Sequence, residues 1–124
     1  MHREDVEAIQ ERVKRDKFRA MKPFEEGQEE RIRHAVSGAI DDYAKSTTDP
    51  AFAGMISVPE YRDHATNIGT SILCTKWEIG YPGGSFVQAV VNNNLMETFG
   101  RADHINLYFI RFYVYLIYNQ GYVA

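Results

Sequence analysis

The 124 residues carry a net charge of −3 and a pI near 5.8, which fits one domain with one core and lacks the basic face of a nucleic-acid binder. The hydrophobic and aromatic fractions are those of a folded chain, and no apolar run reaches the roughly 18 residues of a membrane span. The nearest, Ile105 to Tyr118, is interrupted by Asn106 and Arg111. The opening Met-His-Arg-Glu-Asp lacks the apolar segment of a signal peptide, and a lone cysteine, Cys74, suits a reducing compartment. A cytoplasmic location is therefore expected, with no membrane and no nucleic-acid partner.

In chain order, Val6, Ile9, Val13 and Phe18 predict a first helix over about 3–21 with a thin apolar stripe. Pro23 and Gly27 end it. Ile32, Val36, Ala39, Ile40 and Tyr43 predict a second helix over about 28–45. Charge is dense over 1–46, so this part reads as a charged helical arm and 57–124 as the core-forming half of a single domain. Residues 47–56, with Pro50 and Gly54, read as a loop. Ser57-Val-Pro-Glu60 has the form of a capping box opening a third helix to about Ile79.

Gly80, Pro82, Gly83 and Gly84 force a tight connection, and Ser85-Phe-Val-Gln88 repeats the cap pattern. A fourth helix is expected to reach Phe99 and stop at Gly100. Asp103 then caps a fifth helix running to about Asn119, apolar nearly all round and so expected at the buried centre. The fold class is all-α, a bundle of about five helices.

The polar features of this second half are the candidates for function. Gly83-Gly84-Ser85 at a helix start suits either phosphate binding or a plain turn with an N-cap. Asn92, Asn93 and Asn94 fall in the expected mid-helix, where asparagine is unfavourable. Asn93 follows Ala89 and Val90 by four and three residues and is the inward candidate. Arg101 offers a fork of donors at a helix junction, and Arg111 is a charge on the most apolar helix that needs a partner, a ligand or an exposed edge. Asp103 is more simply a cap. His2, His34, His64 and His104 have no metal-ligand spacing with Cys74, which reads as an inert buried thiol, and no catalytic set is arguable.

The string from Pro82 through Gly83, Gly84, Gln88, Asn93 and Leu95, followed by Gly100-Arg-Ala-Asp103, Asn106 and Tyr118-Asn119, resembles a family of small phage and prophage proteins. The resemblance covers the last third of the chain, with Asn94 standing where that family usually has Asp. It implies a phage setting and, by analogy with other small phage proteins, an anti-defence role. The expectation is a non-catalytic, homo-oligomeric sponge for a nucleotide immune signal, with no metal or cofactor. Gly83, Gly84 and Ser85 would hold phosphate, Arg101 or Arg111 would add charge, Asn93 would read a base or ribose edge, and Tyr81 or Phe86 would stack. Asn106 completes the candidate set. The competing expectation is a protein–protein inhibitor or adaptor working through the charged N-terminal helices, which on the first reading supply the oligomer contacts.

Overall fold

The computed structural model describes residues 21–124, and the expected first helix falls outside the described residues except for Met21. Six helices follow: α1 (Gln28–Ser46), α2 (Pro50–Ile56), α3 (Pro59–Trp77), α4 (Ser85–Val91), α5 (Leu95–Arg101) and α6 (His104–Asn119). The domain is all-α, and none of the described helices is long and apolar enough to cross a membrane.

Burial of one stripe per helix builds the core. Ile32, Val36 and Ile40 of α1, four residues apart, are completely buried. The segment over 28–46 is thus a core helix, which corrects the expectation of a charged arm there. Its charges lie on the outer face, where Arg62 of α3 bonds Asp41 at 2.9 Å and holds that carboxyl below its ordinary pKa. The loop expected over 47–56 is also corrected. Asp49 accepts from the Ala51 amide at 3.0 Å, Pro50 occupies the first turn, and Phe52 and Ile56, one turn apart, anchor the helix. Phe52 meets Tyr43, Phe109 and Phe112 with ring centroids 4.7–5.6 Å apart.

The hub is α3, which packs against α1, α2, α4 and α6. Gly69 permits this crowding, since a Cβ there would lie 2.7 Å from Val36 Cγ1 and 3.1 Å from Leu116 Cδ2. The expected capping box does not form. Val58 is the N-cap of α3, and the Ser57 hydroxyl instead donates to Gly54 O at 2.6 Å. α6 buries Phe109, Phe112, Tyr113 and Leu116 on one face only, while Leu107, Tyr108, Val114 and Tyr118 are 44–84% exposed. It flanks the core rather than forming its centre.

Two straps close the bundle. The Lys22 amide donates to Glu78 O at 2.9 Å and Lys22 O accepts from Gly80 at 2.7 Å, pinning residues 21–24 across the end of α3. The Phe24 ring lies over Gly80, whose φ of +69° and lack of Cβ allow the contact. Beside it, at the same end, buried Gln28 donates to Tyr122 Oη at 3.0 Å and Val123 O at 2.9 Å, while its own Oε1 accepts from the Glu25 amide at 2.9 Å.

The largest departure lies at the three asparagines. One helix was expected over 85–99; two are found. Asn92 ends α4, Asn93 takes the left-handed conformation at φ +56°, and Asn94 caps α5 by accepting from the Glu97 amide at 3.1 Å. Asparagine enters this conformation more readily than other L-residues, and its side chain competes with the helix for backbone groups. Gly100, expected as a helix stop, lies inside α5, which continues to Arg101. Replacing Asn93 by glycine is expected to leave stability within about 0.5 kcal/mol, and by valine to cost about 1–2 kcal/mol. Urea unfolding of the two variants checks this.

Candidate functional site

The break at Asn93 sets α4 and α5 against each other and leaves a groove of about 320 Å³ between them. Ser85, Gln88 and Asn92 line it from α4, at helical spacings of three and four. Asn94, Glu97 and Arg101 line it from α5 at spacings of three and four, with Ala89 completing the wall.

Hydrogen bonding commits some of these groups and leaves others open. Gln88 Nε2 donates to Gly83 O at 2.8 Å, so its Oε1 is left to accept. Asn94 Oδ1 is used by the cap, leaving its amide NH2 to donate. The side chains of Ser85 and Asn92 make no hydrogen bond among the described residues. Arg101 Nε meets Glu97 Oε2 at 2.9 Å, with both side chains more than half exposed. An exposed pair one turn apart is worth only about 0.3–0.5 kcal/mol. An incoming anion can therefore take over the Arg101 fork at small cost.

The other sequence-nominated residues do not join this groove. Asn93, expected to point inward, is exposed and lies on a separate small groove with Leu95, Phe99, Ile110 and Val114. Arg111 is exposed on α6 and lines neither groove. Asn93, Arg101 and Arg111 do not converge. Tyr81 is 77% exposed and edges against Phe24 on another side of the 80–84 turn. Phe86 is buried against the Tyr113 ring at 5.9 Å, so it packs the core and is not presented for stacking.

Nor do the glycines form a phosphate cradle. The Gly83 amide donates to Thr75 Oγ1 at 2.8 Å, and a Cβ at Gly83 would lie 2.3 Å from Val87 Cγ1. Gly84 is the N-cap of α4 and Ser85 is its first residue, so the expected serine cap is absent. Close packing of the turn between Val87 of α4 and Ser71 of α3 accounts for Gly83. Ser85 and Arg101 are the two nominated residues that the fold brings together.

Asn106 belongs to a buried polar knot beneath α6. Asp103 caps that helix, as expected, by accepting from the Asn106 amide at 2.7 Å. Asn106 Oδ1 accepts the Tyr113 hydroxyl at 2.9 Å and stands 2.9 Å from His64 Nε2, which donates when that nitrogen carries the proton. Burial, with Asp103 nearby, raises the Tyr113 pKa far above the tyrosine range and keeps the hydroxyl a donor. Burial likewise pushes the Cys74 thiol up to about 11, with Glu29 adding to the rise, so it stays protonated and inert at neutral pH.

Besides Ala89, four polar groove residues, Gln88, Asn92, Asn94 and Glu97, were not nominated as ligand contacts from sequence. Their signal was the i, i+3, i+7 spacing on each side of the asparagine run, which is visible only once the run is read as a break. The chain matches no family model, and neither a curated protein nor a solved structure matches it.

Asn106→Ala is expected to cost about 2–3 kcal/mol by leaving the Tyr113 hydroxyl and the His64 ring without their acceptor. Arg101→Ala is expected to change stability by less than about 0.5 kcal/mol, because its pair is exposed. Thermal and denaturant unfolding of both variants separates the residue that holds the fold from the one offered to a ligand.

Proposed function

We propose that this protein is a non-catalytic binding protein that holds a small phosphorylated nucleotide-type ligand in the α4–α5 groove, as a phage anti-defence sponge would inside an infected cell. The observation that carries the reading is the set of uncommitted polar groups in one groove. The terminal nitrogens of Arg101 offer a planar fork suited to a phosphate. Asn92 supplies both a donor and an acceptor, Gln88 an acceptor and Asn94 a donor, the mixed pattern that a base edge or ribose presents in return. The phage setting rests on the sequence resemblance.

Size narrows the ligand. About 320 Å³ lies at the bottom of the ~300–1,000 Å³ range of small-molecule sites, which suits one nucleotide unit. A cyclic dinucleotide would seat one of its halves. Glu97 stands one turn from Arg101 on the same helix and holds its Nε at 2.9 Å, which leaves the two terminal nitrogens to face a phosphate and disfavours ligands that bring negative charge to the Glu97 side.

Calorimetric titration of the full chain with cyclic mononucleotides, cyclic dinucleotides and cyclic ADP-ribose isomers tests this. At least one class is expected to bind and to be recovered chemically unchanged after denaturation. Arg101→Ala should weaken it about 10–100-fold, the worth of a charge-assisted hydrogen bond. Asn93→Gly should bind as the parent does. No binding by any class, or equal binding by Arg101→Ala, would overturn the reading.

A further inference from the structure

We propose that the exposed face shared by α5 and α6 is the contact through which two copies of this chain associate. Leu95, Met96 and Phe99 on α5 and Leu107, Tyr108 and Val114 on α6 are 44–83% exposed. Leu95 and Phe99 border the same small groove as Ile110 and Val114, and Leu107 lies one turn along α6 from Ile110; Met96 flanks the groove on α5, and Tyr108 lies beyond Leu107 round α6, one turn from Arg111. Six large apolar side chains exposed on two neighbouring helices exceed the single scattered hydrophobics of a usual monomer surface and mark an interaction face.

The face also complements itself. Arg111 sits among these side chains, exposed, with Tyr108 three residues before it on the same side of α6. A two-fold interface repeats every contact in reverse. With the axis between Tyr108 and Arg111 and the two α6 helices antiparallel, each guanidinium lies over the ring of the partner's Tyr108, giving two cation–π contacts at once. Arg111 thereby gains a role that the ligand groove does not give it. The apolar side chains of α5 extend the contact on either flank. The α4–α5 groove lies on a different side of α5, lined by Asn94, Glu97 and Arg101, so pairing leaves it open.

Sedimentation velocity of the full chain, from low micromolar to a few hundred micromolar, is the test, with circular dichroism to confirm the fold of each variant. The parent is expected to sediment as two copies at the upper end. Met96→Glu and Arg111→Glu should each raise the dimer dissociation constant tenfold or more, the scale of a central interface residue. Lys45→Glu on α1 should leave it unchanged. A single-chain mass at every concentration would overturn the proposal. So would a dimer that neither Met96→Glu nor Arg111→Glu weakens, which would place the contact on another surface.

Discussion

A single left-handed residue governs the functional half of this protein. Asn93, at φ +56°, turns the chain after the Asn92 cap of α4, so that α5, capped by Asn94, starts two residues later at Leu95. A continuous helix would carry Ser85, Gln88 and Arg101 along one rod with nothing facing them. With the chain folded back, one row from each short helix faces the other and a polar groove results. The same turn sends Leu95 and Phe99 toward α6, on the opposite side from Glu97 and Arg101. Groove and apolar face are thus two sides of one helix, both created by one backbone conformation that asparagine adopts at little cost.

The core and the α4–α5 groove draw on different residues, and the magnitudes keep them apart. The core is a set of fully buried side chains from α1, α3 and α6, closed around Gly69. Burying one such side chain contributes about 1.5–3 kcal/mol. The exposed Arg101–Glu97 pair contributes a small fraction of that. The groove can therefore exchange an internal partner for a ligand without loosening the bundle. Asn106, Tyr113 and His64 belong with the core, because their hydrogen bonds are inside it and would be costly to leave unmade.

Much of the bundle was legible in the sequence, and its failures share one cause. Helical periodicity located α1, α3 and α6 to within a few residues, and Asp103 was rightly read as a cap. Composition misled over 28–46: the Ile32–Val36–Ile40 stripe marked the helix, but its dense charges made it read as an exposed arm although the stripe is completely buried. Short helices were missed or merged. Pro50 and Gly54 look like loop residues although Asp49 and Pro50 together start a turn of helix, and the asparagine run was taken as an interruption inside one helix rather than its end. Buried Gln28 gave no signal, because its partners Tyr122 and Val123 lie more than ninety residues away. The site suffered the same way: Ser85 and Arg101 were named, but the residues between them could be placed only after the chain reversed at Asn93.

Amide chemical-shift mapping of the 15N-labelled full chain, titrated in turn with cyclic mononucleotides, cyclic dinucleotides and cyclic ADP-ribose isomers, reads the location of binding directly. Binding in the α4–α5 groove predicts shifts concentrated over residues 85–101, with the side-chain amides of Gln88, Asn92 and Asn94 and the Arg101 Nε–H among the most perturbed. Absence of any shift would contradict it. Shifts centred on Tyr81, or on Arg111, with residues 85–101 unmoved, would contradict it equally.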